Sequence, residues 1–377
     1  MTRRVLVVAG EASGDRAAAA VVARLAREGV SVFGMGGDGL AQAGADLVTH
    51  LGRATAVGFG EVARRGWSIL AARAALDRAV SSRGPLAAAL LVNYTEFNTS
   101  LAKWLKRRGV RVLWYIAPQI WAWRPSRSQT LAKLVDRMAV ILPFEERLWR
   151  DAGVDARYVG HPALEDPVID RATARATFGL TEYAPAIAIL PGSRPHEVRE
   201  LLGPMLHAYE IVRRDRASLD ARIIAAASLD RETVELLERA SRVSRVPLVR
   251  ADATRGAGAW LGAFDAALCA SGTASLEAAL AGAPPVVSYR VGWLTEAIVR
   301  PFLQTDLFAL PNVLLKRRAF PELMQRDATV SNMALALERV LGLDRREMQA
   351  ACDELRPIFG ARREPSREVA DMITSWL

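Results

Sequence analysis

Two segments of the chain share one pattern, in which an apolar strand leads through a glycine-containing turn into a helix. The first segment runs from the strand Val5–Val8 through the turn Ala9–Asp15 into an alanine-rich helix at Arg16–Glu28. The second runs from Ile187–Leu190 through Pro191–Arg194 into another helix. Ligands bind at the carboxyl ends of parallel strands, where such turns lie. Because the two segments lie in separate halves of the chain, they predict two α/β domains facing a shared cleft.

Length and charge agree with a two-domain enzyme that binds an anion. A chain of 377 residues is too long for one simple core. Lys plus Arg number 50 and Asp plus Glu number 41, which gives a net charge of +9. This surplus favours a nucleotide, a phosphorylated substrate or an anionic membrane surface as partner. The basic residues are scattered rather than gathered in a dense run, so we expect no nucleic-acid partner.

Cysteine usage and the amino terminus predict a cytoplasmic protein. Cys269 and Cys352 have no CxxC partner and are expected to be free thiols in a reducing compartment. The segment Met1–Arg4 leads directly into a strand and leaves no room for a signal peptide. No uncharged apolar run is long enough to span a bilayer, although binding to a membrane surface stays open.

The hydrophobic pattern alternates strands and helices in both halves, which is typical of doubly wound parallel sheets. Gly160–Pro162 and the nearby Pro167 indicate a linker. We therefore predict domains at residues 1–165 and 166–350, followed by a helical segment at 351–377. The predicted strands are Val5–Val8, Ser31–Gly34, Ala88–Val92, Val110–Tyr115, Met138–Leu142, Arg157–Val159, Ile187–Leu190, Ala221–Ala226, Pro247–Val249, Ala266–Cys269 and Pro285–Tyr289.

The second glycine turn is suited to a diphosphate. Gly192 lets the backbone approach a ligand, Ser193 offers a hydroxyl and an N–H, and Arg194 can bind phosphate with two parallel hydrogen bonds. The alternative is a purely structural helix cap.

A third loop follows the predicted strand that ends at Cys269. Ser271, Gly272 and Thr273 lie where backbone and hydroxyl donors meet phosphates at a helix start. Glu277 comes one helical turn after Thr273, so its carboxylate can hold the two ribose hydroxyls of a nucleotide. The alternative is an N-cap with a solvated glutamate.

The first glycine turn is acidic and lacks the GxGxxG spacing of a dinucleotide site. Glu11 and Asp15 suit sugar hydroxyls or a proton acceptor, and Ser13 and Gly14 lie between them. The alternative is a plain turn capped by Ser13 or Asp15.

Aromatic residues near arginines indicate contact with an amphiphilic molecule. Trp121, Trp123 and Arg124 can frame such a ligand, or the tryptophans can pack in the core. Trp67 falls off the apolar stripe of its predicted helix, which suits acyl chains or a membrane interface, or packing on a neighbouring domain.

The sequence has no motif that indicates a bound metal. No His or Cys spacing indicates a metal site around His161, and no Asp-x-Asp motif is present.

Taken in order along the chain, these motifs resemble those of the lipid-A-disaccharide synthase family. The resemblance implies a GT-B fold, with two Rossmann-like domains around a cleft and a C-terminal helix that crosses back to the first domain. The segments that carry it are Ala9–Asp15, Gly58–Val62, Phe97–Asn98, Pro118–Arg124, Leu142–Glu145, Gly160–Pro162, Leu190–Arg194, Ala270–Glu277 and Leu310–Asn312.

The same resemblance implies the reaction and its location. It implies an inverting transfer from UDP-2,3-diacylglucosamine to 2,3-diacylglucosamine 1-phosphate, giving a β-1,6-linked disaccharide and UDP without a metal or other cofactor. The enzyme would lie in the cytoplasm, peripheral on the inner membrane of a Gram-negative bacterium; homodimer formation is left open.

The resemblance also divides the site residues between the two substrates. It implies a UDP site in the second domain at Gly192–Arg194, Ser271–Thr273 and Asn312, with Glu277 on the ribose. Arg194 would offset charge on the departing diphosphate. The acceptor and its acyl chains would lie in the first domain. The candidate residues there are Glu11, Ser13, Gly14, Gly58, Trp67, Trp121, Trp123 and Arg124.

One departure from the family concerns the general base. The family carries Asp at the position of Asn93, its favoured base, and a second Asp at the position of Glu96. An asparagine amide does not accept a proton to any useful extent. The base is therefore expected at Glu96, Asp15, Glu61 or Glu11, or the chemistry is slow or altered.

Three other functions stay open on the sequence. One is a GT-B transferase with another acceptor, and another is a UDP-sugar epimerase that acts on a soluble sugar. The third is an inactive homologue that binds a UDP-sugar or a lipid precursor, for which Asn93 is the support.

Overall fold

The chain forms two compact units, each built on its own parallel sheet. The computed structural model describes residues 3–50, 61–121, 127–165, 169–251, 258–290, 306–342, 344–361 and 363–377, without the side chains of 61–69 and 127. The first unit comprises Met1–Glu165 and Arg362–Leu377, and the second comprises Asp166–Ala361.

The first unit has a seven-stranded sheet with the order β3-β2-β1-β4-β5-β6-β7. All neighbouring strands are parallel. Its strands are β1 (Arg4–Ala9), β2 (Ser31–Gly36), β3 (Asp46–His50), β4 (Ala88–Val92), β5 (Arg111–Tyr115), β6 (Arg137–Val140) and β7 (Ala156–Tyr158). Its helices are α1 (Ala12–Arg27), α2 (Asp38–Gln42), α3 (Glu61–Arg83), α4 (Thr95–Arg107), α5 (Arg127–Ala132) and α6 (Glu145–Asp151), with a 3₁₀ turn at Pro162–Leu164.

The second unit repeats this plan with six parallel strands in the order β10-β9-β8-β11-β12-β13. Its strands are β8 (Ala186–Leu190), β9 (Asp220–Ala225), β10 (Leu248–Arg250), β11 (Ala266–Ala270), β12 (Pro285–Tyr289) and β13 (Glu322–Met324). Its helices are α7 (Arg171–Thr177), α8 (Pro195–Asp215), α9 (Arg231–Ser244), α10 (Thr273–Leu280), α11 (Leu310–Leu315), α12 (Val330–Leu341) and α13 (Arg345–Ile358), with 3₁₀ turns at Gly258–Ala263 and Gln325–Asp327.

The central strands are apolar along their whole length because helices cover both faces of a parallel sheet. Every residue of β4, β8 and β11 is buried. In each sheet the strand order reverses beside the first strand, between β1 and β4 and between β8 and β11. Ligands of open α/β sheets bind outside the carboxyl ends of the strands at such a switch point, so these two loop pairs are the candidate sites.

The last helix, α14 (Pro365–Thr374), belongs to the first unit, where it packs against α1. Val369 and Ile373 are fully buried in the core of that unit. The preceding helix α13 packs against α10, α11 and α12 of the second unit. The boundary predicted at residue 351 therefore falls inside α13, and the chain returns to the first unit only at residue 362.

Two strands were not predicted from the sequence, and one turn was predicted too long. β3 and β13 are the edges of their sheets, and their short runs with polar residues lack a strand-like apolar pattern. Helix α1 begins at Ala12 with Glu11 as N-cap. Ser13, Gly14 and Asp15 therefore lie in the first turn of the helix, whose alanine-rich sequence extends it upstream of Arg16.

Candidate active site

In the first unit, two polar residues follow the strands of the switch point. β1 and β4 are neighbours with Ala9 opposite Val92. Asn93 directly follows Val92, and Glu11 follows Ala9 after one glycine. The Asn93 side chain donates a hydrogen bond from Nδ2 to Oε2 of Glu11 at 3.0 Å. The structure thus brings together two of the predicted site residues at the edge of the sheet where a substrate is expected.

The loop that carries Asn93 has an uncommon backbone conformation. Asn93 and Tyr94 both have φ of +48°, a left-handed region that side chains rarely adopt. Asn98 supports the turn, since its Nδ2 donates to the carbonyl oxygens of Val92 at 3.2 Å and of Asn93 at 2.8 Å. Strained turns of this kind persist where neighbours fix them and are common at functional sites.

Asp15 has a structural environment. Its carboxylate accepts three buried backbone N–H bonds from the turn that joins β2 to α2. The donors are Gly37 at 2.6 Å, Gly39 at 3.0 Å and Leu40 at 3.4 Å. Burial outweighs these bonds and raises the pKa of Asp15 above its ordinary value. The geometry favours Asp15 as a link between α1 and α2 rather than as the general base.

Glu96, another candidate for the general base, lies on the surface of the first unit. It is exposed on the first turn of α4. There it lines a groove of about 690 Å³ together with Arg73, Asp77 and Lys103, among others. The structure therefore does not bring Glu96 into the Glu11–Asn93 pair.

In the second unit, the turn after β8 has the conformation expected of a phosphate loop. Gly192 has φ of +130°, and a Cβ there would lie 2.5 Å from the side chain of Glu197, so the position requires glycine. Helix α8 begins at Pro195 with Arg194 as its N-cap. The half-exposed Arg194 side chain is at the start of this helix, where an anion is stabilised.

Glu197 is a residue whose role the sequence reasoning missed. Its Oε2 accepts the backbone N–H groups of Ser193 at 3.0 Å and Arg194 at 3.3 Å. Its Oε1 accepts Nη1 of Arg194 at 3.2 Å. The Arg194 N–H bond to Glu197 belongs to a capping box, and the Ser193 N–H predicted to bind phosphate donates to the same Glu197 oxygen. The spacing of Arg194 and Glu197 was the available signal.

The loop after β11 leads directly into α10. Gly272 is the N-cap of α10, and Thr273 is its first residue. Ser271 and Thr273 are partly exposed, whereas Glu277 is 6 % exposed. Glu277 packs closely against Gly258. A Cβ added at Gly258 would lie 3.2 Å from the Cβ of Glu277. The donors expected for a phosphate are present, and the contact of Glu277 with a ribose stays a prediction.

Asn312, predicted to belong to the UDP site, has its amide group fully used within the second unit. It is fully buried in α11. Its Nδ2 donates to the Phe320 carbonyl at 2.9 Å and to Oε1 of Glu322 at 2.8 Å, and its Oδ1 accepts the Phe320 N–H at 2.9 Å. Both ends of the amide thus hold the loop before β13, and a contact of Asn312 with UDP stays a prediction.

Trp121 is partly buried and binds a buried acid that the sequence reasoning did not single out. Its Nε1 donates to Oε1 of Glu145 at 3.2 Å, and its ring meets Phe144 edge-on. Oε2 of Glu145 accepts the Leu142 N–H at 3.2 Å. Burial raises the pKa of Glu145 to about 7, although these hydrogen bonds lower it. The available signal was an acid three positions after the predicted apolar strand Met138–Leu142.

Five of the predicted site residues lie outside the described residues or side chains: Gly58, Glu61, Trp67, Trp123 and Arg124. Within the described part of the chain, no three His, Cys, Asp or Glu side chains converge as metal ligands. None of the helices described there combines the length and apolarity needed to cross a bilayer.

Comparison with known sequences decides the family. A family model described as Lipid-A-disaccharide synthetase matches residues 5–373. The chain belongs to the lipid-A-disaccharide synthase family. It is 43% identical over 363 residues to the lipid-A-disaccharide synthase of Myxococcus xanthus, covering 95% of this chain and 93% of that protein. It is 41% identical over 368 residues to that of Anaeromyxobacter dehalogenans strain 2CP-1, covering 97% and 94%. The predicted family and enzyme class are confirmed.

Solved structures with low sequence identity show the fold. UDP-GlcNAc 2-epimerase from Neisseria meningitidis, solved with UDP-GlcNAc, has a TM-score of 0.68 at 12% identity, over 99% of this chain and 100% of that one. MurG from Acinetobacter baumannii has a TM-score of 0.54 at 14% identity, over 99% of both chains. The predicted GT-B class is confirmed by these matches and by the two Rossmann-like sheets.

Proposed function

We propose that the chain transfers a 2,3-diacylglucosaminyl group from UDP to the 6-hydroxyl of 2,3-diacylglucosamine 1-phosphate, with inversion at the anomeric carbon. Family membership supports the substrates. The observation that carries the mechanism is the contrast between the switch points of the two sheets: one presents Arg194 at a helix start, and the other presents the carboxylate of Glu11. A cation suits a diphosphate, and a carboxylate suits an attacking hydroxyl.

The second unit is the proposed donor site. Arg194, Ser271 and Thr273 offer a guanidinium and two hydroxyls at the starts of α8 and α10. In the transfer step the bond between the sugar C1 and the β-phosphate oxygen breaks, and its electron pair leaves with UDP. Arg194 and the two helix N-termini offset the charge that develops on that oxygen. No step in this proposal needs a metal ion.

The product of the reaction tests this function. Purified protein is incubated with both substrates in EDTA, and the mixture is analysed by mass spectrometry. We expect the disaccharide 1-phosphate and one UDP for each disaccharide. UDP release without a disaccharide, or a disaccharide formed from unacylated UDP-GlcNAc instead, would contradict the proposal and favour another acceptor. UDP binding without turnover would favour an inactive homologue.

We further propose that the first unit docks on the anionic inner-membrane surface from the cytoplasm. Leu70 on α3 is 63% exposed. On the neighbouring α4, the Trp104 ring is covered by the guanidinium groups of Arg73 at 5.2 Å and Arg108 at 3.9 Å. Exposed apolar and basic groups together suit an anionic lipid surface. Homodimer formation stays a prediction.

Vesicle flotation tests the docking surface. The Leu70→Ser/Arg108→Ala double variant is expected to lose binding to vesicles that contain anionic phospholipid, because it loses both an apolar and a charged contact. Arg242→Ala, on α9 of the second unit, is the matched control. Equal flotation of the double variant and the wild type would contradict this surface.

A further inference from the structure

The transfer reaction leaves one proton to be removed, and the switch point of the first sheet presents an amide, Asn93, beside the carboxylate of Glu11. The inference below rests on the proposed function, since it names the group that takes this proton from the acceptor hydroxyl. An amide cannot do so. A carboxylate must therefore take the proton, and the position expected for it in the first unit is the switch point between β1 and β4.

Glu11 is placed at that position by the sheet itself. β1 and β4 are paired up to Ala9 and Val92, so the residues that follow them emerge side by side. Glu11 is the N-cap of α1 with an extended backbone, φ −140° and ψ 155°, yet its side chain makes no capping bond to the helix. It reaches instead to the neighbouring loop, where Oε2 accepts Nδ2 of Asn93 at 3.0 Å.

The other described acids of this region are placed differently. Both oxygens of Asp15 accept backbone N–H groups, and the residue is 7 % exposed. Glu96 lines the groove beside Arg73 and Lys103. Among these three acids, Glu11 is the one that the structure shows hydrogen-bonded to the side chain of Asn93.

Asparagine at position 93 also suits a neighbouring glutamate electrostatically. An aspartate there would place two carboxylates about 3 Å apart, and like charges at that distance share a proton rather than both ionise. The amide replaces this repulsion with a hydrogen-bond donor that holds the Glu11 carboxylate in one orientation. The left-handed backbone of Asn93, supported by Asn98, fixes the direction of that donor.

We propose that Glu11 is the general base of this chain and that Asn93 is the residue that positions it. Glu11 takes the proton of the acceptor 6-hydroxyl as that oxygen forms its bond to C1 of the donor sugar. The C1–oxygen bond to the β-phosphate breaks in the same step, and UDP leaves with the electron pair. The proton passes from Glu11 to water after the disaccharide departs.

Steady-state kinetics of Glu11→Gln test the assignment. General-base catalysis contributes about 100- to 10,000-fold, so we expect kcat to fall at least ~100-fold. The KM for the donor and the affinity for UDP are expected to stay near those of the wild type, because the donor site lies in the other unit. Glu28→Gln, an exposed acid at the end of the same helix, is the control and is expected to keep full activity.

Exchange of the two side chains tests the pairing. Glu11→Gln/Asn93→Asp restores a carboxylate and an amide in exchanged positions, and we expect it to regain at least ~10-fold of the lost kcat, within the range that one general base contributes. Asn93→Ala is expected to lower kcat without raising the KM for the donor.

Three outcomes distinguish failure of the transfer reaction, of Glu11 as the base and of Asn93 as the residue that positions it. If the wild type makes no disaccharide, the proposed function fails. If the wild type is active and Glu11→Gln retains kcat, or Glu96→Gln abolishes it instead, Glu11 is not the base. If the exchanged variant is no more active than Glu11→Gln, Asn93 does not position the base.

Discussion

Acidic residues near the glycine turns differ in the groups that donate hydrogen bonds to their carboxylates. The carboxylates of Asp15 and Glu197 are occupied by backbone N–H groups. That of Glu11 meets a side-chain amide across two loops. The sequence predicted that acids near the first turn would include a functional one, but it did not distinguish them, since hydrogen-bond partners depend on loops distant in sequence.

Arg194 is expected to act mainly on the leaving diphosphate. Arg194→Ala removes the guanidinium at the start of α8 and is expected to lower kcat by about 100- to 1,000-fold, as loss of a transition-state charge contact does. Steady-state kinetics with UDP calorimetry measure this effect. Arg214→Ala, near the other end of α8, is the matched control. A loss of UDP affinity with unchanged kcat would contradict this role.

Glu145 is expected to make stability depend on pH. Burial raises its pKa from 4.5 to about 7, so the folded protein binds a proton more tightly than the unfolded chain does. Stability is therefore highest below pH 4.5 for this group and falls as pH rises through 7. The difference is on the order of 3 kcal/mol. Denaturant midpoints at pH 5 and pH 8 should differ less in Glu145→Gln than in the wild type, whereas an equal difference would contradict this explanation.

The candidate site residues of each unit lie on strand–loop–helix elements, after β1 in the first unit and after β8 and β11 in the second. These were predictable because a buried parallel strand followed by glycine and a helix has a strong local pattern. After the loop that follows β8, helix α8 begins at Pro195, directly after Arg194, as predicted. The loop after β4 was harder to predict, since left-handed Asn93 and Tyr94 replace the glycine that such a turn usually carries.

Gly10 is expected to be essential to the shape of the first loop. A Cβ there would lie 2.1 Å from ring carbons of Tyr94, so Gly10→Ala must displace this ring and the Asn93 turn beside it. We expect a kcat at least ~10-fold lower with unchanged UDP affinity, because a small misplacement of catalytic groups has a large cost. Gly203→Ala, where a Cβ meets nothing within 4 Å, is the control. Full activity of Gly10→Ala would show that the loop tolerates the displacement.

At the scale of the whole molecule, the chain crosses between its two units twice. Both crossings border one cluster of the first unit: Ser366 N donates to Oε2 of Glu165 at 3.0 Å, and Arg24 Nε donates to Ser366 Oγ at 2.8 Å. The sequence predicted two domains from length and from the repeated pattern. The boundary it predicted at residue 351 lies inside α13, whose amphipathic pattern does not indicate the unit on which the helix packs. The shared cleft stays a prediction.

The last helix is expected to stabilise the first unit specifically. Ile373→Ala leaves a cavity in a fully buried site and is expected to cost about 2–5 kcal/mol. Hydrogen exchange followed by mass spectrometry should show faster exchange in β1 and α1, with β8 and α8 unchanged. Leu335→Ala, at a residue that is 59% exposed, is the control. Equal protection of both units in Ile373→Ala would contradict a specific role.

The anomeric configuration of the new glycosidic bond shows directly whether the transfer is a single inverting step. The wild type is incubated in EDTA with both acylated substrates, and the product is analysed by mass spectrometry and proton NMR. We expect a disaccharide 1-phosphate whose new anomeric proton shows the wide coupling of a β-linkage. An α-linked product, or no disaccharide beside intact substrates, would contradict the account.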